Sequence, residues 1–515
     1  MTEKYLYNPV KKNTDLIQVW KAFPYTYKYG MSTLGYLTLF KELDTNSDVN
    51  VERIFINSKS TGIKPEDVEF ISFSFLFEND FQQIFKILDK YKIPLKSADR
   101  KGRPLIFAGG PVITCNPEPF SDFFDFMIIG DGENSLNEII DRYKTIRNYE
   151  KKELLEQLAS IRGVYVPSLY RSTYNDDFSM KDFYSISPKI PPYINKRTAK
   201  VTECLYSSII TSDAFYADTL FIELGRGCPY KCKFCSASYL NRPFRCPSFE
   251  SVKKAVDTNI DLVKTIAFIG AMVSMNPDFD KICDYLINLR KQKSFKVEFS
   301  SLKADKYNQK AVDVLLACNQ YEVNIAIESG SQKIRDLIQK ELTEEQLKNT
   351  ISLYNKSGIK NLNFYSMIAL PNETEEDITE FINLAKELKN QNKNIEISYT
   401  ISSFIPKPGT PYERNSIESL DVLEKKVSFV KTAFEKEKIN AKFSNPHQDI
   451  INTIISKSDR RLASFIEYVY KNNIKNKDWH KAYENFRMIN NVKLPDLQWY
   501  AERTIPDNEL LPWSF

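Results

Sequence analysis

Short apolar runs, each bounded by turn residues and followed by a helical stretch, recur in two series along this 515-residue chain. That alternation constrains the fold more than any other feature, because it yields parallel strands buried between helical layers. In the first series "VEFISFSFLF" (68–77), "PLIFAGGP" (104–111) and "DFMIIGDGE" (125–133) read as strands. Helical "DFQQIFKILDKY" and "NSLNEIIDRYKTI" separate and follow them. The second series supplies six strand-like runs: "TLFIELG", "TIAFIG", "KVEFSSL", "EVNIAIES", "NLNFYSMIAL" and "EISYTISSF". Right-handed crossovers curve such a series toward an open or partial (β/α)6 barrel with its site at the carboxyl ends of the strands. The expected organisation is α/β throughout. A doubly wound domain spans 1–170, a proline-bearing linker 171–217, the partial barrel 218–440 and a small, mostly helical C-terminal domain 441–515.

Charge narrows the partners little. Lys+Arg at 71 against Asp+Glu at 67 argues for neither a nucleic-acid nor a membrane surface, although a local basic run such as Lys457 to Arg461 leaves nucleic acid open. No apolar run nears the ~20 residues of a membrane span and the N-terminus has no signal-peptide core, so a cytoplasmic location is expected. Thiols are reduced there, and clustered ones read as metal ligands or reactive groups. The two histidines, His447 and His480, leave few candidates for imidazole chemistry.

The stretch "ELGRGCPYKCKFCSASY" (223–239) holds three of the eight cysteines, Cys228, Cys232 and Cys235, directly after the first strand of the second series. A 4Fe–4S cube takes four ligands, so three thiolates from one loop leave one iron open. Structural zinc with Cys204 or Cys246 as fourth ligand is the plain alternative, but zinc sites usually pair two Cys-x2-Cys units and no second pair exists here.

This Cys-x3-Cys-x-aromatic-Cys loop, with Phe234 as its aromatic, resembles that of the radical S-adenosylmethionine (radical SAM) superfamily. The resemblance implies an open iron that binds SAM, which one-electron reduction cleaves to methionine and a 5′-deoxyadenosyl radical. It also implies a reductant such as flavodoxin or ferredoxin. Phe234 would border the adenine. "IGAMVS" (269–274), with Gly270, occupies the place of the family's methionine-binding strand end but lacks the usual Gly-Gly-Glu. "SSLKAD" (300–305) resembles the third strand, with Lys303 where arginine is common. In "IAIESGSQKI" (325–334), Glu328 and Ser329 fall where the ribose or amino group of SAM is reached; a strand end before a helix capped by Ser331 is the structural reading of the same residues. "MIALPNETEED" (367–377) resembles a "GLPGET" segment with Ala369 and Asn372 in place of two glycines.

"FIPKPGTPYE" (404–413), "FPYTYKYGMSTLGY" and "AGGPVITCNPEPFSDFFDFMIIGDGE" resemble a branch with an N-terminal Rossmann-like, cobalamin-binding-like domain. There Gly109-Gly110 and Gly130-x-Gly132 are candidate ligand loops, with tight βα turns as the alternative. The branch's Asp-x-His-x-x-Gly is missing, so cobalamin would bind without a histidine ligand or not at all. Within the family, methyl or other carbon-centred transfer is the expected reaction, on a substrate the sequence does not reveal. A non-catalytic iron–sulfur or corrinoid-binding sensor or carrier and an RNA-modifying radical SAM enzyme are the alternatives.

Overall fold

A computed structural model describes residues 2–514 apart from 60, 301, 306, 491 and 492. The chain forms two compact units, one of residues 1–199, 207–217 and 452–515, the other of 200–206 and 218–451. No helix of the described residues is long and apolar enough to cross a membrane.

The first unit is built on a six-stranded sheet in the order Val49–Phe55, Ile17–Phe23, Phe70–Ser74, Leu105–Gly109, Phe126–Ile128, Val164–Tyr165. Five strands are parallel and the last is antiparallel. The three strands read from sequence are present, and Ile17–Phe23 and Val49–Phe55 are added before them. The added pair decides the topology. In chain order the parallel strands run 2-1-3-4-5, a doubly wound arrangement whose direction switches between Ile17–Phe23 and Phe70–Ser74. Such a switch opens a crevice at the carboxyl ends of those two strands.

The expected linker contains a hairpin, Tyr170–Tyr174 with Met180–Ser185, and a strand, Ile209–Thr211, that pairs with Glu3–Tyr5. The expected separate C-terminal domain is also revised, because residues 452–515 belong to the first unit. Their anchor is polar: Asn116 donates to the carbonyls of Ser456 and Ser458 at 2.9 and 2.7 Å. The basic run Lys457 to Arg461 is no nucleic-acid surface. Lys457 is buried, Arg460 pairs with Glu118, and Arg461 pairs with Asp459 over the Tyr174 ring.

The second unit has seven parallel strands in two sheets. Thr219–Gly225, Thr265–Gly270 and Lys296–Phe299 form one; Glu322–Glu328, Asn361–Ile368, Glu396–Ser403 and Asn440–Phe443 form the other. The six expected strands are these, with a short seventh at the edge. Alternate residues of Glu322–Glu328 and Glu396–Ser403 are buried against helices, as a strand packed chiefly on one face requires. Capping boxes at Thr343 and Thr374 start two of the helices, and Gly358 in the left-handed conformation ends the first. Of the third strand's expected end, Ser301 lies outside the described residues.

Candidate functional site

The cysteine loop follows the carboxyl end of the strand Thr219–Gly225 in the second unit. The strand Thr219–Gly225 ends beside Gly270, the last residue of its neighbour. A Cβ on Gly270 would lie 2.7 Å from the Gly225 carbonyl oxygen, and one on Gly227, where φ is +78°, would lie 2.4 Å from that of Asn241. Both positions exclude a side chain. Arg226 and Arg245 exchange backbone N–H···O bonds of 2.8 and 3.0 Å, closing residues 226–245 into a loop. Further bonds tie that loop down: Lys233 N–H donates to Ile338 and Tyr412 N–H to Lys233.

The loop holds Cys228 and Cys232 buried and Cys235 half-buried, all three free thiols. Burial pushes the Cys228 thiol up, while the Tyr230 N–H and the Ser238 hydroxyl oppose this. Burial takes Cys232 to about 11 against the pull of Lys340. The remaining cysteines are scattered, and among the described residues no three His, Cys, Asp or Glu side chains gather as a single metal ion requires. Zinc would need its sulfurs within about 4 Å of one another.

Lys340 was not legible as a site residue. Its ammonium donates to Glu328 at 2.8 Å, with both side chains largely enclosed. Burial pulls Lys340 down, yet Glu328 and the thiols of Cys232 and Cys235 raise it overall. Glu328, Gln339 and Glu341 all carry positive φ, at 66°, 55° and 50°. Left-handed backbone at non-glycine residues is costly and concentrates at functional sites. The strain flanks this pair.

The other expected residues divide. Lys303 reaches the cysteine loop, its Nζ 3.6 Å from the Tyr230 ring centroid and 2.5 Å from Asp305. The Gly270 carbonyl accepts from the Ser300 hydroxyl. Phe234 packs on the apolar group of Ile334, Ile338, Leu370 and Phe404. Ser329 is buried in a turn: its hydroxyl accepts from Ser331 N–H, and its carbonyl accepts from Arg335, a fully buried side chain that also bonds the Gly330 and Leu342 carbonyls. Ser331 donates its hydroxyl to Asp377 and caps no backbone. Ala369 and Asn372 both adopt positive φ, 61° and 64°, so the glycine geometry survives without glycine.

In the first unit the glycine loops are filled by the chain. A Cβ on Gly110 would lie 2.5 Å from the Phe75 carbonyl, and one on Gly130 2.1 Å from that of Arg197. Phe75 N–H donates to Gly109, and Asp131 N–H to Arg197. Gly132 lies against Leu39. The topological switch point lies elsewhere, at the carboxyl ends of Ile17–Phe23 and Phe70–Ser74. There Tyr25 donates to Asp80 at 2.6 Å, Asp80 accepts the N–H groups of Leu76 and Phe77, and Tyr29 stacks on Phe215 at 5.2 Å. Phe77, Tyr29, Phe215 and Tyr216 are each about half exposed or more.

Two families match: residues 35–167 match "Radical SAM proteins, N-terminal", and residues 222–385 match "Radical SAM superfamily". An uncharacterized protein of Methanocaldococcus jannaschii is 28% identical over 452 residues, 87% of this chain and 90% of that one. An uncharacterized methyltransferase of Pyrococcus horikoshii is 23% identical over 333 residues, 62% and 65% of the two chains. Among solved structures, the cobalamin-dependent S-adenosylmethionine radical enzyme OxsB, with aqua-cobalamin and S-adenosylmethionine bound, aligns at a TM-score of 0.53 and 18% identity. It covers 93% of this chain and 76% of its own.

Proposed function

We propose, because this chain belongs to the radical SAM superfamily and is a radical SAM enzyme, that Cys228, Cys232 and Cys235 hold a 4Fe–4S cluster with SAM on its open iron. The observation that carries the reading is three free thiols in one closed loop at the strands' carboxyl ends, beside the enclosed Lys340–Glu328 pair. Thiolates suit iron, and the donor set fits the cube with one position left over. Once reduced by one electron, the cluster supplies the cleavage of SAM to methionine and a 5′-deoxyadenosyl radical. The protein's part is placement. Lys340 offsets thiolate charge and, with Glu328, presents opposite charges suited to the carboxylate and ammonium of SAM. Gly270 and Ser300 line the neighbouring strand ends, and Lys303 flanks the loop through Tyr230.

Methyl or other carbon-centred group transfer is the reaction class this reading favours, supported by the methyltransferase name of the Pyrococcus horikoshii relative. Cobalamin is part of the proposal in restricted form, supported by the cobalamin-dependent relative of the same fold. At Gly110 and Gly130 the chain's own backbone lies where a side chain would be, which favours another surface for a corrin. The aromatic side chains at the switch point are the surface on which a flat ring would stack. Residues 1–199 contain no histidine and the strand-end loops all lie within them, so a corrinoid held there takes no imidazole from them.

Reconstitution tests the reading. Under anaerobic conditions the protein should take up about four irons per chain and cleave SAM when reduced. Changing any one of the three cysteines to alanine should abolish cleavage; a variant that retains it would refute the ligand assignment. A second expectation concerns the ion pair. Glu328→Gln and Lys340→Met should each weaken SAM binding roughly ten- to a hundredfold, the worth of one charge-assisted hydrogen bond. The double variant should lose little more than the worse single one, because the partners act as a unit. Calorimetric titration of SAM into reconstituted protein measures this, and unchanged affinity would leave the pair a structural feature only.

A further inference from the structure

Between Arg226 and Cys246 the chain carries Arg226, Lys231, Lys233, Arg242 and Arg245 and no carboxylate. Over the whole chain basic and acidic residues nearly cancel, so this run is a local departure on the segment that bears the three cysteines. Its cations are not equivalent. Arg226 is paired with Glu223 at 2.9 Å. Arg245 folds back onto the carbonyls of Pro243 and Asn241. Lys233 is half-buried near the Tyr412 ring. Lys231 and Arg242 are exposed.

Tyr239 ties those two positions to the cysteine segment. Its hydroxyl donates to the Lys231 carbonyl at 2.8 Å, next to Cys232, and the Arg242 guanidinium lies 4.3 Å from its ring centroid. Lys231 and Arg242 therefore flank one aromatic ring on the segment that bears the thiols. On the adjoining segment Glu413 accepts from Gly409 N–H and is followed by Arg414.

We propose that this face, with Lys231 and Arg242 at its centre, is the docking surface for a small acidic one-electron carrier protein. The inference rests on the cluster reading above. One electron leaves the carrier's flavin or iron–sulfur group and one enters the cluster, which becomes one charge unit more negative; no atom is transferred. Exposed charges of this kind act mainly on the rate of encounter and its salt dependence, and less on final affinity. Two free cations are too few for the phosphate contacts on which nucleic-acid binding depends. An acidic protein suits the face better.

The test mixes reconstituted holoenzyme with photoreduced flavodoxin and follows bleaching of the cluster absorbance by stopped flow. Raising salt from about 20 to about 200 mM, which shortens the screening length from about 20 to about 7 Å, should slow the wild type about tenfold. Lys231→Glu with Arg242→Glu should be slower by about tenfold at low salt and should lose the salt dependence. Dithionite, a small reductant, should reduce both proteins equally, and equal iron content shows that the variant is folded. The milder Lys231→Gln should fall in between. Equal flavodoxin rates in wild type and variants, or a wild-type rate indifferent to salt, overturn the proposal. So does an RNA oligonucleotide whose binding the reversals abolish while flavodoxin reduction is unchanged. A wild type without iron would refute the cluster reading as well, whereas equal rates refute the docking surface alone.

Discussion

Arg460→Leu should destabilise the first unit by about 3–5 kcal/mol, the usual cost of leaving a buried charge without its partner. Glu118 is fully buried and accepts from Arg460 Nε and Nη2 at 2.7 and 3.0 Å. The same guanidinium bonds the Tyr165 hydroxyl and the Tyr170 carbonyl, each at 2.9 Å. Three segments distant in sequence thus close on one side chain. Glu118→Gln should recover part of the loss in the double variant, because the stranded charge is then gone. All four tryptophans, Trp20, Trp479, Trp499 and Trp513, fall in the first unit, so tryptophan fluorescence during urea unfolding reports that unit by itself. A midpoint within error of wild type would show that Glu118 is neutral or hydrated in the fold.

Lys21→Met should act in the opposite direction. Lys21 is buried on a central strand, with the Ser74 and Ser72 hydroxyls at 3.0 and 3.4 Å and the Tyr36 ring beside it, and with no carboxylate partner among the described residues. Burial lowers it from 10.5 to about 7. The folded form therefore holds fewer protons than the unfolded form between those values, and stability rises with pH across that window. The penalty is full at and below pH 7 and is lifted as pH passes the unfolded value. At about 1.4 kcal/mol per pKa unit its ceiling is about 5 kcal/mol. Two hydroxyls left without a partner cost roughly 1–3 kcal/mol in return, so the net gain near pH 7 is on the order of 2 kcal/mol.

The pH profile separates Lys21 from other groups. Burial raises Glu42 to about 7, and a raised carboxyl makes stability fall as pH rises toward that value, the reverse slope. Above pH 7.5 that contribution is flat. The wild-type urea midpoint should climb between pH 7.5 and 9.5, and that of Lys21→Met should not. A parallel climb in both would assign the slope elsewhere.

The same residue shows why part of the fold was illegible in sequence. "IQVWKAF" is a fully packed parallel strand, but a charged lysine in its middle breaks the apolar run by which buried strands are recognised. Without that strand the switch point cannot be placed from the sequence, and Gly109-Gly110 and Gly130-x-Gly132 stand out instead. Of these, Gly110 and Gly130 answer to the chain's own backbone at Phe75 and Arg197, a demand set by residues far away in sequence. Asn440–Phe443 is a four-residue edge strand of alternating exposure, too short to stand out. Residues 452–515 join the first unit through Asn116 and Glu118, pairings no local pattern announces.

The second strand–helix series and the cysteine loop are legible because both signals are local: strand–helix periodicity, and three thiols within eight positions. Lys340 was not. It lies twelve residues beyond Glu328 in an ordinary "QKEL", and only the fold brings its ammonium to the carboxylate and the thiols. Phe234 and Ser329, read from the sequence as ligand contacts, lie against an apolar group and in a turn, surroundings that no local pattern announces.

Electron paramagnetic resonance of the anaerobically reconstituted, dithionite-reduced protein, before and after SAM is added, tests the central claim most directly. The expected spectrum is that of a single reduced 4Fe–4S cluster whose shape shifts on SAM addition and which is lost in the Cys232→Ala variant. Stoichiometric zinc with no iron uptake, or a cluster signal that SAM leaves unchanged, would contradict it.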